Sequence, residues 1–369
     1  MKKKVYLHVG FHKTGTTAIQ ESLYYHSDQL TNLGINYATN NRKANHRDAW
    51  ALSERYWGWK KRGGKKTSIV QWEKRVKYLK SQKIDSVISS EFFSEINDDQ
   101  LNLMANDLRD FDVEVIFTIR PLAKLLGSSY QQYLKYGIKA SYEDWLDDIF
   151  HNSEKPKFSP TFWKRHRHDE VISRWAKVFG DQKIHLVVVD ESEPDVLYDS
   201  FNKILKLPAR TLKEVKGSGS NRSLNYPEIA LLLAINKAFP KDRAWSDYEI
   251  FIREGSIRHL TNQVQLAELG TKLLTPQWAV DEAAKLSSSS IAKITDLEIK
   301  IYGDLSKLNS TEISIGVNSE ISEIPMDIAV NALLAFDKSR VINKYSTKEV
   351  FNEAIKRLKQ IVRKFLKLT

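Results

Sequence analysis

Cysteine is absent from all 369 residues of the chain, which excludes disulfides, thiolate catalysis and cysteine-ligated zinc. Also missing is any apolar run that approaches the roughly 18 residues needed to cross a membrane. The apolar stretch Val5–Val9, behind the N-terminal lysines, is too short for a signal peptide. We therefore expect a cytoplasmic protein.

The chain has 15 glycines and 9 prolines, and 41% of its residues are hydrophobic, so the composition is that of a globular protein. The 57 basic residues outnumber the 46 acidic ones, and the formal net charge is +11. A positive balance suits an anionic ligand, but nucleic-acid-binding proteins show the same balance. Charge alone therefore does not identify the function.

The segment Lys4–Gln20 has the pattern of a short apolar strand, a glycine-bounded loop and the start of a helix. Gly10 and Gly15 permit a tight turn, and the free N–H groups of a helix N-terminus attract anions. Nucleoside triphosphatases carry a lysine directly after the second glycine of this loop. Here Thr16 follows Gly15, and the lysine is Lys13, inside the loop. This difference argues against hydrolysis of ATP or GTP.

A second apolar strand, Val113–Ile119, ends in Arg120, and a helix-like run that contains Ser128 follows it. Triphosphatases often place a magnesium-binding aspartate at the end of such a strand. The guanidinium found here instead suits bidentate contact with a phosphate group. The chain therefore carries two predicted anion-binding devices, each at the end of a strand.

Short apolar runs alternate with helix-like stretches along the chain, which predicts an α/β fold. We expect a three-layer, P-loop-type parallel sheet flanked by helices, with ligands outside the carboxyl ends of the strands. The predicted strands are Val5–Val9, Ser86–Ser89, Val113–Ile119 and Ile184–Val189. The predicted helices are Thr17–Leu30, Gln71–Ser81, Asp98–Arg109, Ala123–Tyr136 and Asp169–Phe179.

Two insertions interrupt this alternation, at about residues 39–68 and 137–168, and both are rich in aromatic and basic residues. Long insertions in compact domains often form binding loops. We predict a main domain over residues 1–308 and a C-terminal extension over residues 309–369. The extension ends in a basic amphipathic helix, Thr347–Thr369, whose apolar stripe either docks on the domain or lies on an acidic membrane surface.

The run at residues 13–17, Lys-Thr-Gly-Thr-Thr, resembles the 5′-phosphosulfate loop of sulfotransferases. Arg120 and Ser128, eight residues apart, resemble the 3′-phosphate motif of the same enzymes. The sequence from Arg120 to Tyr133 is similar to bacterial carbohydrate-type sulfotransferases. The resemblance implies the donor 3′-phosphoadenosine 5′-phosphosulfate (PAPS), a P-loop fold, and no requirement for a metal.

The same resemblance implies roles for individual residues. Lys13 would stabilise the charge on the departing phosphate, and Arg120 with Ser128 would hold the 3′-phosphate. The segment 220–224 is similar to a late segment that closes over the donor in related bacterial enzymes. The predicted donor-binding residues are His12, Lys13, Thr14, Gly15, Thr16, Thr17, Arg120, Ser128, Arg222 and Ser223.

Transfer to a hydroxyl requires a base to accept its proton, and the sequence offers two candidates. Glu91 comes just after the strand Ser86–Ser89, where a fixed strand end would position it. His46 lies in the first aromatic insertion. Resemblance does not choose between them, because sulfotransferase families use either residue type.

We therefore predict a PAPS-dependent sulfotransferase whose acceptor is a carbohydrate, such as a surface polysaccharide or a glycolipid, and not a nucleic acid. A P-loop kinase acting on a small molecule is the first alternative, and a non-catalytic basic binding protein is the second. His166 and His168 do not predict a metal site, because the interleaved arginines repel a cation.

Overall fold

The computed structural model describes residues 2–39, 42–215, 222–262 and 271–334, together with Asn352 and Ile355. Its strands are β1 Lys4–His8, β2 Ile35–Tyr37, β3 Tyr56–Trp57, β4 Lys65–Lys66, β5 Asp85–Ser89, β6 Asp112–Ile119, β7 Ile184–Val188 and β8 Lys300–Tyr302.

Six of these strands form one sheet in the order β2-β5-β1-β6-β7-β8, and every neighbouring pair is parallel. The remaining two, β3 and β4, pair as a small antiparallel hairpin. Helices cover the parallel sheet, so the predicted α/β fold is confirmed. Strands β1 and β6 are direct neighbours near the centre of the sheet, and both predicted anion-binding devices follow their carboxyl ends.

The described residues form fifteen α-helices. They are α1 Thr16–Tyr25, α2 Ser27–Asn32, α3 His46–Leu52, α4 Val70–Ser81, α5 Asp98–Asp107, α6 Leu122–Leu134, α7 Tyr142–His151, α8 Phe162–His166, α9 His168–Phe179, α10 Asp195–Ile204, α11 Tyr226–Ala238, α12 Trp245–Tyr248, α13 Arg258–Asn262, α14 Gln277–Thr295 and α15 Met326–Leu334. Short 3₁₀ segments occur at Lys60–Arg62, Glu91–Glu95, Asp181–Lys183 and Leu305–Asn309, and a π-helix spans Glu249–Ile257.

Strand β6 shows how the sequence builds a core on both faces of the sheet. Its residues alternate, so that Val115 and Phe117 belong to one buried cluster and Ile116 to the other. Helices α4 and α9 contribute Trp72 and Trp175 to the first cluster. Nearly the whole strand is buried, as expected for a parallel strand covered on both sides.

The structure differs from the predicted elements in a few places. The single helix predicted over Thr17–Leu30 is divided at His26, whose ring nitrogen Nδ1 lies 2.9 Å from the carbonyl oxygen of Ser22. Strands β2 and β8 were not predicted, because three residues are too few to show a periodic pattern. The first insertion contains α3 and the hairpin β3–β4, and the second contains α7 and α8.

The chain divides into two compact units. The first comprises residues 1–219 and 272–320 and contains the parallel sheet. The second comprises residues 220–271 and 321–369, and its described elements are helices. Neither unit ends at residue 308. The predicted division at that residue stays a prediction.

Most of the predicted C-terminal helix Thr347–Thr369 lies outside the described residues. Among the residues that are described, no helix combines the length and apolar character needed to cross a bilayer.

Candidate active site

The loop between β1 and α1 is held in shape by a glycine and a buried threonine. Gly10 has a φ of +55°, and a Cβ placed there would lie 2.3 Å from Cγ2 of Thr16, so a side chain cannot fit. The Thr14 hydroxyl donates to the Phe11 carbonyl oxygen at 2.6 Å and lies 2.8 Å from the Thr118 hydroxyl. This hydroxyl therefore shapes the loop.

The backbone of the same loop is arranged as an anion cradle. Lys13 and Gly15 have left-handed φ values of +66° and +84°, and the strain is notable for a lysine. Such an alternation lets successive N–H groups converge on an anion. Within the described part of the chain, no acceptor is hydrogen-bonded to the N–H groups of residues 12–17. Because α1 has no acidic residue in its first turn, its positive dipole end is not compensated there.

The Lys13 side chain extends from this loop to α6. Its ammonium donates a hydrogen bond to the side-chain oxygen of Gln132 on α6 at 3.2 Å, and it remains accessible to solvent. The surrounding protein displaces water and lowers the pKa of Lys13, an effect that Glu91 opposes and Arg165 reinforces. The lysine therefore contacts α6, and Glu91 and Arg165 lie near enough to influence its charge.

Arg120 lies directly against the loop. Its guanidinium donates to the carbonyl oxygen of Lys13 at 3.2 Å, and it forms an ion pair with Glu191. Glu191 is 62% exposed, so its carboxylate can leave at little cost when a ligand binds. The two anion-binding devices predicted from separate segments are thus in contact.

Two lysines that the sequence analysis missed lie near Arg120. Lys124 is 3.8 Å from Glu191 and 3.7 Å from Glu312, and it is largely buried. Together with Lys272 and Arg120, these residues line an open cavity of about 550 Å³. The signal for Lys124 was present in the sequence, because it precedes Ser128 by four residues and such pairs share a helix face.

Ser128 lies one turn beyond Lys124 on α6. Its hydroxyl donates to the Leu125 carbonyl oxygen at 3.1 Å, within its own helix, so it is not held by another segment. The predicted roles of Arg222 and Ser223 also stay predictions. Both residues belong to the second unit, where the Arg222 guanidinium is paired with the buried carboxylate of Glu228.

The structure brings the two candidate bases together. Glu91 begins the 3₁₀ segment after β5, and its carboxylate lies 3.7 Å from Nδ1 of His46. The same imidazole nitrogen is 2.9 Å from the Ser90 hydroxyl, and the Gln20 amide donates to Glu91 at 3.2 Å. Burial would raise the pKa of Glu91, but His46 and the hydrogen bond from the Gln20 amide outweigh this effect and lower it. Glu91 is therefore an ionised carboxylate, able to accept a proton.

A second carboxylate, Glu95, contacts two arginines and a histidine in the interior behind the loop. It accepts a hydrogen bond from Arg55 at 2.6 Å, lies 3.0 Å from Arg165, and is 2.8 Å from Nε2 of His12. Burial would raise its pKa, yet Arg165 and Arg55 hold it well below the usual range. Burial also lowers the pKa of His12. His12 is therefore neutral, with its proton on Nε2 facing Glu95, and it brings no positive charge to a ligand.

Aromatic rings continue from this cluster along the first insertion. The rings of Trp50 and Trp57 are 4.9 Å apart, and the rings of Trp50 and Phe92 are 5.3 Å apart. His46 stacks on Trp50 at 6.0 Å, and Trp57 meets Tyr136 of the neighbouring segment edge-on at 5.9 Å. The candidate bases therefore lie at one end of a continuous aromatic wall.

Three other histidines, His8 and the pair His166 and His168 named above, are packed in the interior. His8 is fully buried against Phe201, and burial lowers its pKa to about 4. His166 lies 3.1 Å from the Ser129 hydroxyl, and burial lowers the pKa of His168 to about 4. No group of three or more potential metal ligands occurs among the described residues.

Comparison with known proteins gives little further information. No protein-family model and no curated protein matches the chain. A solved structure of a sulfotransferase from Alicyclobacillus acidocaldarius is similar, with a TM-score of 0.42 and 14% identity, covering 68% of this chain and 100% of that one. A similarity of this degree carries no conclusion about function.

Proposed function

We propose that this protein is a sulfotransferase that moves a sulfuryl group from PAPS to a hydroxyl group of a carbohydrate. The observation that supports this most strongly is the contact between Arg120 and the Lys13 loop at the carboxyl ends of adjacent strands. A nucleotide that carries phosphate groups at both its 3′ and 5′ positions needs two neighbouring anion sites of this kind. Lys124 and Lys272 add positive charge on the side of Arg120.

The residues at the site support a simple division of labour. The donor supplies the sulfuryl group. The Glu91 carboxylate, or His46 beside it, accepts the proton of the acceptor hydroxyl as its oxygen attacks sulfur. The bond between sulfur and the bridging phosphate oxygen breaks, and Lys13 with the loop N–H groups stabilises the charge that develops on that oxygen.

The choice of a carbohydrate acceptor rests on the aromatic wall. Tryptophan rings offer large flat apolar surfaces that suit the C–H faces of sugar rings. Trp50 and Trp57 are half-buried and begin next to His46. A sugar placed against them would present its hydroxyl groups to the candidate bases.

Ligand-induced stabilisation of the full chain tests the proposal. Adenosine 3′,5′-bisphosphate should raise the melting temperature, because at about 100 times its dissociation constant a ligand adds roughly 2.7 kcal/mol of stability. Adenosine 5′-monophosphate and ATP with magnesium should each stabilise the protein much less. The measurement is a thermal unfolding curve at a series of ligand concentrations.

The two arginines that flank β6 supply a test variant and its matched control. Arg120→Ala should remove the preference for the bisphosphate over the monophosphate, since it deletes the proposed 3′-phosphate ligand. Arg109→Ala, just before the opposite end of β6 and exposed, should change nothing. Glu191→Gln should tighten bisphosphate binding, because it removes a carboxylate that competes with phosphate for Arg120.

The rival functions predict other results. Greater stabilisation by ATP with magnesium than by the bisphosphate would favour a kinase and overturn the proposal. Stabilisation by polyanions of every kind, abolished by salt and unaffected by Lys13→Ala, would favour a non-catalytic basic binding protein.

A further inference from the structure

The first insertion carries an unusual concentration of positive charge. Between residues 42 and 66 there are nine lysines and arginines and only two acidic residues. This stretch contains α3, the hairpin β3–β4 and the aromatic residues Trp50 and Trp57. It therefore joins a basic surface to the aromatic wall beside the candidate bases.

Some of these charges are neutralised within the protein. Lys43 pairs with Glu21 at 2.7 Å, Lys66 with Glu54 at 2.6 Å, and Arg55 with the buried Glu95.

Others have no such partner. Five basic side chains of the stretch form no ion pair with any carboxylate among the described residues: Arg42, Arg47, Lys60, Lys61 and Lys65. We call these five residues the basic strip. All of them are exposed, so they are accessible to a ligand in solution.

The strip lies on or beside the two elements that carry the tryptophans of the wall, α3 and the hairpin β3–β4. Arg47 directly follows His46 in α3. The pKa of Arg42 is lowered, first by its own partial burial and then by the charge of Arg47. The carboxylate of Asp48 opposes this lowering, and two guanidinium groups that repel each other still form a favourable place for an anion. Lys60, Lys61 and Lys65 lie on and beside the hairpin that carries Trp57. Aromatic rings and exposed cations on the same two elements match a chain of sugar rings that bears acidic groups.

We propose that the basic strip and the wall of Trp50 and Trp57 bind an anionic saccharide, so that the acceptor is an acidic glycan carrying carboxylate or sulfate groups. The inference rests on the proposed function, because it assigns the acceptor to the same site. The acidic groups would pair with the strip while the sugar faces lie on the rings, which leaves a hydroxyl group near Glu91 and His46.

Binding of oligosaccharides to the full chain tests this inference. A chondroitin sulfate hexasaccharide should bind at least about tenfold more tightly than maltohexaose, which is neutral, in low salt. The combined variant Lys60→Glu, Lys61→Glu and Lys65→Glu should lower affinity for the charged hexasaccharide by about tenfold or more. It should leave the affinity for maltohexaose nearly unchanged. Calorimetry or tryptophan fluorescence provides the measurement.

A second variant controls for net charge. Lys83→Glu, Lys177→Glu and Lys300→Glu together change the charge by the same amount at exposed lysines outside the insertion. This control should keep the wild-type affinity within about twofold. Trp57→Ala should weaken both saccharides, because it removes stacking area and no charge.

The outcomes separate the inference from the proposed function. Equal affinity for the charged and neutral hexasaccharides, equal losses in the two triple variants, or tighter binding of oligouridylate would each overturn the inference. In these cases stabilisation by adenosine 3′,5′-bisphosphate would persist, and the proposed function would stand. Failure of the bisphosphate to bind the wild-type protein would overturn the proposed function itself.

Discussion

At the level of single residues, the site depends on which groups carry charge at neutral pH. Glu91 is ionised because His46 and neighbouring donors outweigh the effect of its burial. His12 is neutral, and Glu95 behind it is ionised and paired with Arg55 and Arg165. Glu91 is therefore in the form that can accept a proton, next to the loop.

Glu91→Gln is therefore expected to lower the turnover of an acceptor by roughly 10²- to 10⁴-fold. The amide preserves size but cannot accept the proton. Because the pKa of Glu91 is lowered, the basic form is present throughout the neutral range, and wild-type activity should fall only as the pH drops below about 4.5. Rates with radiolabelled donor, across pH, provide the measurement.

The comparison variants are His46→Ala and the exposed Glu73→Gln. If Glu91→Gln or His46→Ala keeps near-full turnover, the residue that it replaces is not the base. Glu73→Gln should match the wild type. A loss of activity centred near neutral pH would point to a base other than Glu91.

At the level of elements, the short helix α3 is placed by tertiary contacts. Seven residues are too few for a stable isolated helix. The buried side chain of Asn45 accepts a hydrogen bond from the Ser89 N–H at 2.9 Å and donates to the Ala38 carbonyl oxygen at 2.7 Å. Asp48 is buried with Arg75 of α4 at 2.7 Å. These contacts fix His46 beside the end of β5.

Asn45→Ala should lower the free energy of unfolding by about 2–3 kcal/mol, because it leaves buried backbone groups without partners. Asn97→Ala is the matched control, since Asn97 caps α5 at an exposed position and its loss should cost about 1 kcal/mol. Denaturant unfolding gives both values. Asn45→Ala should also reduce turnover, whereas the control should not. Equal stability losses would contradict the anchoring role of Asn45.

At the level of the whole molecule, the two ends of the parallel sheet carry different charge arrangements. The carboxyl end presents the loop, Arg120 and the lysines. The opposite end has an internal cluster in which the buried Glu114 lies 2.7 Å from Lys4, 3.2 Å from Lys183 and 3.0 Å from His185. Burial would raise the pKa of Glu114, but His185 and the two lysines hold it well below the usual range.

This cluster should make the protein sensitive to acid. Because its pKa is lower in the folded state, Glu114 stabilises the fold fully when the pH is above its pKa in the unfolded state, about 4.3. This contribution is lost as the pH falls through the lower pKa of the folded state. Glu114→Gln should cost about 2–3 kcal/mol at pH 7 and flatten the decline in acid. Urea unfolding at several pH values measures both. The exposed Glu298→Gln should leave the pH dependence of the free energy of unfolding unchanged. If stability falls in acid as steeply in Glu114→Gln as in the wild type, the cluster is not the source of the acid sensitivity.

Local features of the sequence were enough to predict the sheet and the loop. The apolar runs placed β1, β5, β6 and β7 to within a residue at each end, because parallel strands buried on both faces are rich in apolar residues. The glycines at positions 10 and 15 marked the turn for the same local reason, since a side chain at Gly10 would collide with Thr16. The three-residue strands β2 and β8 carry too little pattern to be recognised.

Proximity between distant segments was decided only by the tertiary structure. His12, Arg55, Glu95 and Arg165 meet in one buried cluster, although they lie in four separate parts of the chain. No spacing rule relates such residues, because their separation depends on how the insertions fold onto the sheet. The sequence by itself determined which segments could bind an anion or accept a proton. The packing of α3 and α6 around the strand ends determined that these segments lie close together.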